Sequence, residues 1–531
     1  MGDHSYPCHR GNRRPVSARH RRRVPWLRER EMAGNARSRP QGEAGDCASF
    51  DSDGAGRCGP RLVDRYDPHN YGKPELLMGR ELSFLIPELL LASVAMLMIV
   101  AEMARAARLV LVLGLAGLTA ATLLTLPVLH ADTTVFSGTY RIDLISGWAK
   151  LILLPGTALA LLMARAEIAG QEREGSVYAL ICLVTLGALT LSGGGDTMLL
   201  VLGVVLTGLG SFALVAFPRD DAATEAAMKY LVFGAVTGSV MIYGLSFWFG
   251  GVGSTLFSDL AALEDKPLIA IAGLVAVIIG LGYKAGLVPF HFWAPDAYDG
   301  APVSIAAYLS VITKLAAIFA FAQVLRDMPV GSAWPLVIAM IAAITMTYGY
   351  LTALVQTNLV RLIAYSSIAQ SGYFLLGIVA LGASPLAVPG IIIMGAAYVA
   401  MNLGAFAIVM IAGRTLVDMR GFGRNRPIMG LSMVIFLLSL TGIPPLFGFV
   451  GKVYLFTSAV EAGFLWLAVI GILNSVLALG VYLRIVVPMY QTASSKTGMD
   501  TPSPHALLVV VATVTVLITL SMGAFAGLLP S

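Results

Sequence analysis

Two lysines, Lys284 and Lys314, stand inside apolar runs on either side of a short polar break, GLGYKAGLVPFHFWAPDAYDGAPVSIAAYLSVITKLAAIFAF from Gly280 to Phe321. A lysine at the centre of a membrane helix costs about 2.5–3.5 kcal/mol on insertion scales; it is kept where it faces a protein interior or a wet cavity, and proton relays are a common reason. Between the runs lie Pro289, His291, Pro295, Asp296, Asp299 and Pro302. Proline removes a backbone donor and clashes with the preceding turn, so the helix should be interrupted here. Irregular backbone at membrane depth survives only where protein or water satisfies it. The combination points to a path for a small cation, above all the proton, with His291 at the break to relay it or to organise water. Asp296 and Asp299 read as loop and helix-cap residues rather than carriers.

A second interruption carries a second such lysine. Lys452 follows Pro445 by seven residues in GIPPLFGFVGKVYLF, as Lys284 precedes Pro289 by five. Lysines beside proline-broken helices in different halves of a chain are the pattern of inverted repeats around midplane sites. Lys229 differs. It opens its apolar run, where snorkelling to the interface is the competing reading.

The elements that must position these groups are membrane helices. Of 531 residues 57% are hydrophobic and 13% charged, a polytopic membrane composition. Apolar runs fall at roughly 84–101, 108–129, 145–164, 177–192, 197–217, 229–249, 267–288, 303–325, 334–355, 362–382, 386–412, 428–458, 463–488 and 506–528. The expectation is an all-α fold of about 14 transmembrane helices. The run 428–458 should break at Gly442-Ile443-Pro444-Pro445.

Residues 1–77 hold 15 Lys+Arg against 10 Asp+Glu, leaving 21 of each for 78–531, so the excess positive charge lies in the leading segment. That segment has no spanning or signal-peptide run. It reads as an Arg-rich extension, disordered or outside the native chain, with the native start near Met78 and no nucleic-acid role. Loops after odd-numbered helices carry Arg105, Arg108, Arg165, Arg173, Arg219, Arg361, Arg414, Arg420, Arg424, Arg426 and Lys496; the others carry little beyond Arg141, Lys266 and Arg326. The odd loops should face the cytoplasm, with both termini outside. Cys182 reads as a small buried hydrophobe, and no cysteine or histidine spacing suggests a metal or cluster. Ser192-Gly193-Gly194-Gly195 is a turn between apolar runs, not a phosphate loop.

With these residues on the page a family resemblance becomes specific. HFWAPDAYDGAPVS (291–304), Lys229-Tyr230 in EAAMKYLVFGA, QTNLVRLIAYSSIAQSGY (356–373) and GIPPLFGFVGK (442–452) resemble the N-type (NuoN) antiporter-like subunits of respiratory complex I, the proton-pumping NADH:quinone oxidoreductase. Tyr-Asp-Gly-Ala-Pro favours the N type over the M and L types, whose variant is Thr-Glu-Ala-Pro. The similarity runs from about Pro87 to the C-terminal helix. It implies a fourteen-helix core with broken helices and two inverted five-helix repeats, at about 177–325 and 334–488, and a proton route through a central row of lysines in the membrane of a bacterial cell. Lys229 would modulate the first half-channel and Lys284 would be its central carrier. Lys314 would join the halves and Lys452 would serve the exit. It implies no redox catalysis and no cofactor on this chain, NAD and quinone being used by the whole complex. The implied partners are the M-, L-, K-, J-, A- and H-type membrane-arm subunits and the lipid bilayer.

The chain departs from that pattern at one position. Where the family keeps a glutamate in a Leu-Gly-Leu-Glu-Leu pattern, paired with the first central lysine, alignment of LLVLGVVLTGLGSFALVAF places Val205. Glu225, one turn before Lys229, is the candidate compensating carboxylate. Without the glutamate the electrostatic trigger at Lys284 should weaken. Two other readings stand beside a pumping subunit. One is a subunit of a multisubunit cation/proton antiporter or membrane-bound hydrogenase; the other is an arm subunit that fills space but conducts poorly.

Overall fold

Short polar residues set the helix starts. In the computed structural model, which describes residues 81–328, 334–492 and 505–524, Asp143 forms a reciprocal capping box with Ser146. Asp196, Asp220 and Asn358 each accept backbone N–H groups at the head of a helix. Such caps satisfy donors that a helix start leaves orphaned. The readings for residues 1–77 and for the start near Met78 lie outside the described residues.

The helices in chain order are α1 Ile86–Met103, α2 Ala107–Thr125, α3 Leu144–Ile168, α4 Glu174–Gly193, α5 Thr197–Val215 and α6 Asp221–Val252. Then come α7 Pro267–Ala285, the short α8 Trp293–Gly300, and α9 Val303–Leu325. Apart from the four-residue turn Phe422–Asn425, the α-helices that follow are α10 Trp334–Ala353, α11 Leu359–Val379, α12 Ala387–Ala412, α13 Pro427–Thr441, α14 Phe447–Glu461, α15 Leu465–Tyr490 and α16 Ala506–Ala524. Among the described residues twelve helices are long and apolar enough to cross a membrane, with α13 and Ala506–Met522 shorter apolar helices. The chain is a multi-pass, all-α membrane protein, apart from one hairpin that the sequence reading did not anticipate. Its strands, β1 Thr133–Val135 and β2 Tyr140–Ile142, pair antiparallel with Val135 opposite Tyr140.

Burial sorts these helices into layers. The spanning segment of α9 is buried throughout, and those of α11 and α12 almost throughout, whereas α6 is mostly exposed. Lipid tails are as apolar as leucine, so helix association rests on close packing and interhelical hydrogen bonds. A Cβ at Gly349 would lie 2.7 Å from the Ala369 backbone nitrogen, which is how closely α10 and α11 meet.

Two helices end inside the apolar body. α7 stops at Gly286 (φ +71°) and α13 at Gly442 (φ +92°), both left-handed caps of the kind glycine supplies. The chain resumes as α8 and α14 after Pro289 and after Pro444-Pro445, so the expected breaks are present. A third irregularity, a π-helical turn at Leu309–Thr313, immediately precedes Lys314. The apolar reading of α6 needs a correction. Capped by Asp220, the helix starts at Asp221, so Lys229 stands two turns inside it rather than at its head. Its first turns, DAATEAAM, are too polar for an apolar window to register.

Candidate functional site

Lys284 is the penultimate residue of α7 and 1% exposed. Its Nζ lies 5.6 Å from the Tyr230 ring centroid and 5.9 Å from that of Phe212. Among the described residues it has no hydrogen-bond partner and no carboxylate in ion-pair range. It lines a largely apolar cavity of about 260 Å³ between α5, α6 and α7, and Val205 lines the same cavity.

Lys314, buried just past the π turn, donates to Ser367 Oγ at 2.7 Å and faces the Tyr298 ring at 5.7 Å. Its ammonium packs against the first break: a Cβ at Gly286 would lie 3.2 Å from Nζ. Lys452, buried in α14, donates to the Thr441 carbonyl at 2.9 Å and to Ser475 Oγ at 3.3 Å. The Tyr373 ring covers it at 4.0 Å. Thr441 is the last residue of α13, so this lysine satisfies a carbonyl that the second break frees.

α11 joins these groups. Ser367 holds Lys314, Ser371 Oγ donates to the Ala285 carbonyl at 2.7 Å, and Gln370 Nε2 donates to the Leu440 carbonyl and to the Tyr350 hydroxyl, each at 2.9 Å. Residues three and four apart share a helix face, so one face of α11 touches both broken ends. These polar residues had been read only as part of a resembling stretch. The usable signal was a cluster of polar residues, Ser366, Ser367, Gln370 and Ser371, inside an apolar run.

His291 is buried at the break, 4.7 Å centroid to centroid from Tyr348 and 4.5 Å from Phe292. Its Nδ1 has no hydrogen-bond partner among the described residues. Lys229 is not gathered with the other lysines. Half-exposed, it pairs with Glu225 at 2.8 Å and Asp296 at 3.0 Å on the wall of a polar pocket of about 410 Å³. There Arg361 pairs with Asp296 at 3.1 Å, and Asn358 Nδ2 donates to Asp299 Oδ1 at 2.7 Å. The expected i,i+4 pair of Glu225 and Lys229 forms; Glu225 is exposed and, among the described residues, makes no ion pair with Lys284. Asp296 stands in the first turn of α8.

Sequence reasoning also passed over Lys150 and Glu88, each a charge inside an apolar run. Both are buried, paired at 2.6 Å, and the Tyr140 hydroxyl donates to the same carboxylate oxygen. Burial first, and Glu88 second, hold the Tyr140 hydroxyl well above the usual tyrosine pKa, so it remains a donor. An ionisable group within a span is a functional hypothesis in itself, and that signal was available.

Residues 194–478 match the family model described as NADH:quinone oxidoreductase/Mrp antiporter, TM. NADH-quinone oxidoreductase subunit N 1 of Streptomyces griseus is 36% identical over 402 residues, covering 75% of this chain and 85% of that protein. A chain in the structure of respiratory complex I from Thermus thermophilus with bound aureothin superposes with a TM-score of 0.74 at 28% identity, over 83% of this chain and 98% of that one. A chain of the Mrp complex from Dietzia sp. has a TM-score of 0.74 at 20% identity, over 83% of this chain and 95% of that one, a likeness of fold.

Proposed function

Because the chain belongs to the subunit N family of NADH-quinone oxidoreductases, we propose that it is a membrane-arm subunit of complex I that carries protons across a bacterial cell membrane when the assembled enzyme passes electrons from NADH to quinone. The observation that carries this reading is the burial of Lys284, Lys314 and Lys452 at or beside the two broken helices, linked by the polar face of α11. Proton affinity at such sites is set by burial and by neighbouring charge. Screening is weak in a low-dielectric interior, so displacing one charge changes the next site. The redox chemistry, with its NAD and quinone, belongs to partner subunits of the arm and of the complex. We read the chain as two inverted five-helix repeats of a fourteen-helix core, with the arginine-rich loops cytoplasmic and both termini outside.

Lys284 then takes and gives up the proton in the first half, Lys314 passes it between halves, and Lys452 releases it. His291 organises the break, and Lys229 acts from the polar pocket. Val205 favours one competing reading, an arm subunit that conducts poorly, because the Lys284 cavity holds no carboxylate of this chain among the residues lining it. Proton-to-electron stoichiometry in membranes carrying Lys284→Ala separates the two. A pumping subunit loses protons per electron; a structural one keeps the wild-type ratio.

A further inference from the structure

Lys284 stands apart from the other buried lysines. Lys150 has Glu88 at 2.6 Å, Lys314 has Ser367, and Lys452 has a carbonyl and a hydroxyl. Lys284, equally buried, has among the described residues only the faces of two aromatic rings. A charge taken out of water is tolerated when a counter-charge or hydrogen bonds replace the solvent. The cavity that Lys284 lines is open at the side. Val205, Leu209 and Ile242 on its walls are exposed at the surface. Gly208, Gly234 and Gly238 line it as well. A Cβ at Gly208 would lie 3.8 Å from Lys284 Nζ, and one at Gly238 would meet no atom within 4 Å.

Resting on the arm-subunit reading, we propose that the counter-charge of Lys284 is supplied in trans: an Asp or Glu side chain on a membrane helix of an adjoining subunit enters this lateral cavity and pairs with Nζ. Charge complementarity selects a carboxylate. Depth selects a protein rather than a lipid headgroup. Lys284 faces Gly208, which lies near the middle of the 19-residue α5, about 16 Å from its start at 1.5 Å per residue. An anionic headgroup stays at the interface, whereas a side chain on a membrane helix reaches any depth. Gly238, whose Cβ position has no neighbour within 4 Å among the described residues, leaves room for the partner helix to approach, as small residues do at membrane helix interfaces, whereas Gly234 is packed by Phe212 and Tyr283 of this chain.

Dicyclohexylcarbodiimide tests this on the intact complex in its native membranes. The partner's carboxylic acid adds across the carbodiimide to give an O-acylisourea. Lys284 Nζ then attacks the acyl carbon, a C–N bond forms, the C–O bond breaks, and dicyclohexylurea leaves with the amine proton. Mass spectrometry of the digest is expected to show Lys284 joined by an amide to an acidic residue of another polypeptide. In Val205→Glu membranes, where the acid comes in cis, the intermolecular amide should be lost to an intramolecular one. An unmodified Lys284, a Lys284 acylated by a fatty acid, or an intermolecular amide that Val205→Glu leaves unchanged would overturn the proposal. An affinity tag on this chain keeps the two readings separate. If NADH dehydrogenase activity copurifies and no amide forms, only the counter-charge proposal fails; if it does not copurify, the arm-subunit reading fails.

Discussion

Ser367 is the hydrogen-bond partner of Lys314, and deleting a buried partner of a charged group costs about 1–3 kcal/mol. Ser367→Ala should lower protons translocated per electron, and Ser367→Thr should keep most of them, both read by quinone-coupled pumping in membrane vesicles. At Lys150 the partner is a carboxylate, and breaking such a pair from one side costs about 3–5 kcal/mol, whereas replacing both members with apolar residues is often neutral. Glu88→Leu or Lys150→Met alone should therefore lower the thermal stability of the solubilised complex clearly, and the double substitution should restore most of the loss. A double variant no more stable than the singles would count against a simple ion pair. The lysines themselves were legible because one charge in an apolar run is a local signal. Their partners were not, since nothing local says which serine of α11 a lysine forty or more residues away will meet.

Glycine caps place the breaks. Gly286 and Gly442 have positive φ, and in each the missing Cβ leaves room for a lysine: Lys314 Nζ at 3.2 Å and Lys452 Cδ at 2.8 Å. Gly463 has a similar φ of +85° with no atom within 4 Å of its Cβ position. Left-handed backbone costs an L-residue about 1–2 kcal/mol. Gly463→Ala should thus lower the melting temperature through backbone strain alone, Gly286→Ala and Gly442→Ala by at least as much because the new methyl also meets a lysine, and only these two should also lower pumping. Equal pumping in all three would mean that the breaks do not position the lysines. Both breaks were legible from proline and glycine. The π turn before Lys314 was not, because VSIAAYLSVITKLAAIFAF has an unbroken apolar pattern, and the register of a helix turn is set by what packs around it. The early start of α6 was lost for the opposite reason, its first turns being polar although helical.

At the scale of the molecule the chain is layered, with α9, α11 and α12 enclosed and α6 turned outward. Buried interior helices have little freedom to adapt; outward ones meet lipid or a neighbour. Co-isolation should follow that layering. Tryptophan at exposed Leu209 or Ile242 should weaken retention of other membrane subunits on a tagged chain, while tryptophan at exposed Leu465, on α15, should weaken it less; blue-native gels would show the difference. The apolar runs made the membrane class plain, but which helices are enclosed depends on neighbours that composition does not name. α11 adds a mechanical consequence. Since Gln370 grips the end of α13 while Ser371 grips the end of α7, a small roll of that single rod strains both anchorages at once. Substitutions at the two grips should then be non-additive in a double-mutant cycle, as with two latches on one spindle, where freeing either already slackens the other.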